Sequence, residues 1–527
     1  MPVDINLFRE GKGGNPQLVR DSEARRCRDG AIVDEVIELD EAWRKIRHEL
    51  NLINKELSDV SKAIGMKKKA SKGKDKCEEE TQQAIEIGQR IEEKKAEEQK
   101  ANDAVTAKLN EVGNIVHETV VTDKNEDNNP VEKTWGDKRQ IEITESPGHM
   151  NHHHAMRILN MYDPERGSKI VGHRGYFLKG FGVLLNQALI NYSISFLMEK
   201  GYEALQPPYF IRKDVMEKTC EIGDFEENLY QLENNESYLI ATSEQPISAM
   251  HSDEWLKKAE LPVKYCGYSS CFRKEAGSSG KDVWGIFRVH QFDKIEQFVL
   301  CEPEKSEEIL EELIGCAEEF WKSLGIPYRV VSIVGGALNN AASKKYDLEG
   351  WFPGYNEYRE LVSCSNCTDY QSRALNVKFG TKKQGESSDK NLVHMLNSTL
   401  CATGRAMCAI VENYQTEEGV TIPDVLRPYL GNKEFIPYNE KALKEFMEEQ
   451  DKLRKMKNKG KNSKKDEKKP AKGKKKEETK EEVAEEKKVE KTTSKDDKKD
   501  APADAKSTEA KTETTETKPT EASESKE

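Results

Sequence analysis

Between Trp43 and Ile64 the apolar residues Trp43, Ile46, Leu50, Ile53, Leu57, Val60 and Ile64 recur at alternating steps of three and four. Only one face of a helix keeps residues at that spacing aligned, so the pattern predicts a coiled-coil seam on a helix starting near Val36. At about 1.5 Å per residue such a helix reaches roughly 40 Å. Gly65 is expected to break it, and the link that follows, residues 66–76, is dominated by Lys67, Lys68, Lys69, Lys72, Lys74 and Lys76. A second helical pattern runs through Ile87, Ile91, Ala101, Val105 and Val112, with Lys94, Glu98 and Lys108 interrupting a strict seam. Two helices joined by a short polar link pack antiparallel, giving an arm over about residues 36–113 with a basic tip at 66–76. Taken alone, these residues fit a dimerisation coil or a solvated charged hairpin as well as a ligand-binding arm.

The arm is a minority of the 527 residues, and 35% hydrophobic content leaves part of the chain outside any core. Over residues 121–440 aromatics, glycines and short apolar runs such as Tyr238-Leu239-Ile240 and Phe298-Val299-Leu300 alternate with helical stretches at 184–199 and 307–324. The expected fold is therefore α+β: a helical arm within residues 1–120, then a mostly antiparallel sheet flanked by helices. Residues 441–527 lose nearly every large apolar side chain and are expected to be disordered. The basic run at 452–476 fits plain solvation, weak electrostatic contact with phosphate backbones, or nuclear targeting. The formal charge of −12 is the near cancellation of 84 Lys and Arg by 96 Asp and Glu, so a locally basic face for nucleic acid is not excluded. Cys271, Cys301, Cys316, Cys401 and Cys408 lie in apolar runs, as suits reduced buried thiols. With early acid at the amino terminus and no apolar run of about 18 residues, a cytoplasmic protein without a membrane partner is expected.

Two stretches carry chemistry. In Phe272-Arg273-Lys274-Glu275 the arginine and glutamate are two apart, so an extended strand would point both to one face. A Gly- and Ser-rich loop, 276–285, leads to Phe287-Arg288-Val289-His290-Gln291-Phe292. A sheet could grip a nucleotide this way, with guanidinium on phosphate, carboxylate on the adenine amino group and Phe292 beneath the base. The second stretch, Leu396-Asn397-Ser398-Thr399, leads through Ala402-Thr403-Gly404-Arg405 into an apolar helix at 406–412. A buried arginine there needs an anion, a π face or a core carboxylate.

Together these stretches resemble the signature motifs of class II aminoacyl-tRNA synthetases, and in detail the seryl family of eukaryotic cytosol type. The helix ending in Gly201-Tyr202 with Gln206-Pro207-Pro208-Tyr209-Phe210 resembles the first motif, which builds a dimer interface; 272–292 resembles the second and 396–412 the third. Further likeness lies in Arg174-Gly175-Tyr176-Phe177-Leu178-Lys179-Gly180, Ala241-Thr242-Ser243-Glu244-Gln245-Pro246, His290 to Glu296, and Glu360-Leu361-Val362-Ser363-Cys364-Ser365-Asn366-Cys367, so that it covers residues 1–435. The resemblance implies an enzyme that activates L-serine with ATP and passes it to serine tRNA, and to selenocysteine tRNA as well. It implies that Arg273 bridges the α-phosphate and the serine carboxylate, Glu275 reads adenine, and Arg405 covers adenine opposite Phe292 and reaches the γ-phosphate. Lys274, Val289, Leu361 and Val362 would complete the ATP site, and Glu360 and Ser363 would hold Mg2+. Thr242, Ser243, Glu244, Arg273, Glu296, Asn397 and Thr399 would contact serine. The arm would read the long variable arm of the tRNA through its lysine tip, in a homodimer.

Cys364 and Cys367 have a metal-like spacing, but no second such pair and no histidine partner goes with them, so no zinc is expected. His149, His152, His153 and His154, on a strand or loop, would alternate in direction and are assigned to the join between arm and core. Gly335-Gly336-Ala337-Leu338-Asn339-Asn340 lacks the Lys-Ser or Lys-Thr of a phosphate loop.

Overall fold

The structure, a computed structural model, describes residues 3–220, 228–233, 236–275, 280–381 and 391–466. Its arm is two helices, Ala31–Ala70 and Glu78–Asn110. The first starts earlier than expected and runs straight through Gly65, whose missing Cβ faces open space. One glycine costs about 1 kcal/mol relative to alanine, too little to end a helix continued by good helix formers such as Met66, Lys67 and Ala70. The turn comes at Lys72 and Gly73, both left-handed, with the Gly73 N–H donating to the Lys68 carbonyl at 2.8 Å. Ile53, Ile87 and Ile91 form the mid-arm seam, with Leu50, Leu57 and Val60 packed against them. Lys94 and Glu98 do not interrupt it: Lys94 donates to Glu49 at 3.0 Å and Glu98 accepts from the Trp43 indole at 2.8 Å. At the root, Val33, Val36, Leu109 and Val112 close a cluster with Val3, Phe8 and Val19.

The catalytic-sized core is built on an eight-stranded sheet. In chain order its strands are β1 (Val131–Trp135), β2 (Glu203–Leu205), β3 (Val263–Phe272), β4 (Gln291–Cys301), β5 (Tyr328–Ser332), β6 (Lys344–Phe352), β7 (Glu357–Asn366) and β8 (His394–Ala402). Their spatial order is β1-β5-β6-β7-β8-β4-β3-β2, antiparallel throughout except for the parallel β2–β3 pair. Three helices, Phe181–Glu199, Ser306–Ser323 and Thr403–Tyr414, help bury one contiguous core. Phe181–Glu199 has the length and hydropathy of a membrane span, yet eight of its residues, Leu185, Leu189 and Leu197 among them, are buried against this core.

The expectation of disorder from 441 onward needs correcting at its start: Glu440–Asp466 is helical, and Phe446, only 1% exposed, joins the main core with Leu443 beside it. Leu443 and Phe446, one turn apart, dock the start of this helix, while Met447, Leu453 and Met456 stay exposed in a mostly charged sequence. Residues 467–527 of the expected tail lie outside the described residues. Met1–Lys459 forms one compact unit, and of the second, Gly460–Glu527, the described part is the end of that helix.

The histidines do not join arm to core. His152–Ile158 is a helix, and His152 is buried against the helix Thr403–Tyr414, with its Nδ1 2.7 Å from Glu412 Oε1 and Nε2 3.2 Å from the Trp284 carbonyl. His154 pairs with Glu145. The arm meets the core elsewhere: Asn114 donates to the Ala341 and Cys367 carbonyls and to Thr368 Oγ1, each at 2.9 Å.

Candidate active site

Alternation along β4 sends Phe292, Lys294 and Glu296 to one face of the sheet, and the register sets Thr399 of β8 directly opposite Glu296. That face floors a cavity of about 550 Å3. Over it lies the loop Thr242-Ser243, entering the helix Glu244–Ala249. The loop can lie this close because β3 offers Gly267, where an added Cβ would meet Ser243 Oγ at 2.7 Å.

The two carboxylates here have different surroundings. Glu296 Oε2 accepts from Thr242 Oγ1 (2.6 Å), Ser243 Oγ (2.9 Å) and the Glu244 N–H (3.1 Å), while its Oε1 accepts from Lys294 Nζ at 2.9 Å. Burial alone would raise its pKa, but the Lys294 charge and these donors hold it below the ordinary value. Glu244 is instead pushed up to about 7, by burial first and the neighbouring Glu296 charge second. Its Oε1 accepts from Gln371 Nε2 (2.7 Å) and Asn397 Nδ2 (3.0 Å), and among the described residues no hydrogen bond reaches Oε2.

At the other end two arginines face the same space. Arg273, just past β3, donates through Nε to the Ala241 carbonyl at 3.3 Å, and its guanidinium stands 5.3 Å from the centre of the Phe292 ring. Glu275 does not continue the strand: its φ of +52° is left-handed, so it is not two strand positions on from Arg273 on one face. Its carboxylate turns to Arg288 (3.0 Å) and Arg174 (3.8 Å). Arg405, in the first turn of Thr403–Tyr414, lies 4.8 Å from the centre of the Phe287 ring. It also donates to the Glu360 carbonyl (2.8 Å) and to Glu360 Oε2 (3.3 Å), so the π face and the carboxylate are both its partners. At the cavity wall partial desolvation opposes ionisation of Glu360, yet the Arg405 and Lys345 charges bring its pKa down to about 2. With 47% of its side chain open and Ser363 lining the same cavity, the oxygen donors suit a hard divalent cation.

Thr242, Glu244, Arg273, Glu275, Val289, Phe292, Glu296, Glu360, Leu361, Ser363, Asn397, Thr399 and Arg405 all line this one cavity. Three expected residues are set back from it. Ser243 acts through Glu296, Val362 belongs to the hydrophobic core, and the Lys274 backbone bonds to the Asn228 carbonyl at 3.0 Å. The loop residues 276–279 lie outside the described residues. The lysines 67–76 sit at the exposed arm tip, where Lys67 pairs with Glu80 and Lys76 with Glu78 at 3.8 Å. Cys364 and Cys367 are buried free thiols, Cys364 pushed up to about 12 by burial.

Sequence reasoning assigned no role to Lys294, Arg288, Lys345 or Gln371, all of which hold or flank site carboxylates. The period-two alternation of Phe292, Lys294 and Glu296 was a readable signal for the first. Gln371 carried none, because its partner is 127 residues away.

Residues 3–116 match the Seryl-tRNA synthetase N-terminal domain, and residues 225–414 match the tRNA synthetase class II core domain (G, H, P, S and T). The chain is 56% identical to the cytoplasmic serine–tRNA ligase of Dictyostelium discoideum over 84% of its own length and 97% of that protein's. It is 50% identical to the Saccharomyces cerevisiae cytoplasmic enzyme, over 86% of this chain and 100% of the other. Among solved structures, the cytoplasmic serine–tRNA ligase of Naegleria fowleri in complex with AMP is 49% identical, with a TM-score of 0.72 over 83% of this chain and 99% of that one. The Pyrococcus horikoshii seryl-tRNA synthetase complexed with ATP is 40% identical, with a TM-score of 0.73 over 83% and 100%. Arm, antiparallel core and cavity thus meet in one assignment: the chain belongs to the seryl-tRNA synthetase family, as a class II serine–tRNA ligase of the cytoplasmic type.

Proposed function

We propose that the cavity activates L-serine with ATP and Mg2+, and that residues 1–120 present the seryl acceptor, serine tRNA and also selenocysteine tRNA, to the catalytic residues 121–440. The observation that carries this is the placement of Arg273 and Arg405 in the same cavity as Glu244 and Glu296, guanidinium cations suited to phosphates beside carboxylates suited to an ammonium. The ATP and AMP complexes of the two structural relatives point the same way.

In the first step an oxygen of the serine carboxylate attacks the α-phosphorus, and the bond to pyrophosphate breaks. Arg273 neutralises both the attacking carboxylate and the α-phosphate, with Phe292 under the base and Arg405 over its other face and reaching the γ-phosphate. Glu275, held by Arg288, reads the adenine amino group, and Val289 and Leu361 shape that wall, with Lys274 and Val362 set behind it. Glu360 and Ser363 would hold Mg2+, which would supply charge neutralisation for the phosphates. Positioning and electrostatics then account for most of the rate. In the second step the terminal ribose hydroxyl of tRNA attacks the acyl carbon and AMP leaves.

Serine selection falls to Thr242, Glu244, Glu296, Asn397 and Thr399, with Ser243 fixing Glu296. Such a polar pocket rejects alanine because its hydrogen-bonding groups would be left unpaired. The lysine tip tracks phosphates of the long variable arm, a salt-sensitive contact. A homodimer is supported by apolar residues left exposed on the first-motif helix and after it: Leu184 (52%), Met198 (55%) and Phe210 (61%). Arg273→Ala is expected to lower serine-dependent exchange of pyrophosphate into ATP by at least about 100-fold; an unimpaired variant contradicts the assigned role.

A further inference from the structure

We propose that Gln371 is a positioning residue for the serine pocket, engaging one oxygen of Glu244 so that the other faces the substrate, and that the arm root holds Gln371 in place. Gln371 is 1% exposed and sits on the short helix Tyr370–Leu375, off the sheet that carries Glu296, Asn397 and Thr399. Its Nε2 donates to Glu244 Oε1 at 2.7 Å, the same oxygen that Asn397 reaches at 3.0 Å. Two amide donors on one oxygen leave Oε2 as the one available to a ligand. The Gln371 Oε1 is buried without a hydrogen-bond partner among the described residues, so the donation to Glu244 is the side chain's one strong polar interaction.

The helix is anchored from the arm. Asn114, four residues past the second arm helix, donates to the Cys367 carbonyl and to Thr368 Oγ1 just ahead of it. Tyr370 packs on the arm-root cluster that includes Val33, Val36 and Leu109, and its hydroxyl donates to the Val112 carbonyl at 3.5 Å. Arg373, one turn on, faces Asp4 at 3.6 Å. A continuous set of bonds therefore runs from the base of the arm to Glu244, with the cavity-lining Tyr370 within it.

Titration gives the test its second readout. The charged and titratable groups facing Glu244 are Glu296 and Lys294 of β4, Arg273 beyond β3 and the Cys367 thiol beyond β7. Burial and Glu296 raise Glu244, while Lys294, the Gln371 amide and Arg273 lower it. Removing the amide should move it further up.

The inference rests on the assignment of Glu244 to serine, and the experiment separates the two. Exchange of pyrophosphate into ATP is measured on the full chain without tRNA, across pH, for the parent, Gln371→Met and Asn114→Ala. Gln371→Met is expected to raise the serine KM about 10-fold with the ATP KM unchanged, and to shift upward the pH at which the serine KM levels off. Asn114→Ala should give a smaller rise in the same constant only. If Gln371→Met does not fold, Gln371→Asn, whose amide is one methylene short of Glu244, is read by the same criteria. Unchanged serine KM and pH profile in the Gln371 variant, or serine and ATP KM rising together, overturns the positioning role. An unchanged serine KM in Asn114→Ala overturns the arm-root anchor. A parent enzyme that does not use serine overturns the Glu244 assignment instead.

Discussion

Glu244 and Glu296 are neighbours with opposite titration, and their surroundings explain why. Four donors, one of them a lysine, keep Glu296 ionised, whereas Glu244 has only neutral amides on one oxygen, and burial first and the like charge of Glu296 second raise it to about 7. In the empty site the unfolded chain therefore gives up this proton earlier than the folded one, and Glu244 ionisation costs stability as pH rises from the ordinary carboxylate range to about 7. If serine presents its ammonium to Glu244, as the proposed pocket allows, binding reverses that and releases a proton below pH about 7. Serine KM is expected to fall by up to about tenfold per unit as pH rises toward 7 and to level off above it; a KM independent of pH between 6 and 8 contradicts this account. Most site residues were legible in the sequence because they lie within short motifs. What was not legible is their wiring: Gln371 reaches Glu244 across 127 residues, and the left-handed turn at Glu275 swings a carboxylate that strand spacing would have set beside Arg273.

At the scale of elements the arm tests how far local signals reach. The 3–4 spacing from Trp43 to Ile64 marks the seam, and the helix follows it, but the stop assigned to Gly65 falls in the interior, five residues before Ala70. A glycine alone lacks the left-handed turn and following breaker that end a helix; Lys72 and Gly73 supply them. Since nothing lies within 4 Å of a Cβ built at Gly65, Gly65→Ala is expected to stabilise the arm by about 0.5–1 kcal/mol, seen as a higher melting temperature; a lower one would mean the helix is broken there after all. Deleting residues 66–76 is expected to spare pyrophosphate exchange and to impair aminoacylation, an impairment that the intact enzyme approaches as salt is raised. Equal loss of both activities would make the tip a structural element. The helix Glu440–Asp466 shows the converse limit: composition averaged over a charged segment hides a Phe446 whose burial is decided by a distant core.

Across the whole molecule, the division into arm and antiparallel core was legible because the arm keeps a three-and-four apolar spacing, whereas the core is written in short apolar runs between helical stretches. Their mutual placement was not, because it depends on hydrogen bonds such as those from Asn114 to Ala341 and Cys367, which no local pattern encodes. Sedimentation is expected to give a dimer held by the apolar face around Leu184, Met198 and Phe210; a monomer at micromolar concentration contradicts that assembly. Coupling of ATP to serine in particular is read out by exchange of pyrophosphate into ATP measured across the amino acids. Serine is predicted to drive exchange, with alanine and threonine far behind; exchange driven by threonine or proline and not by serine would contradict it.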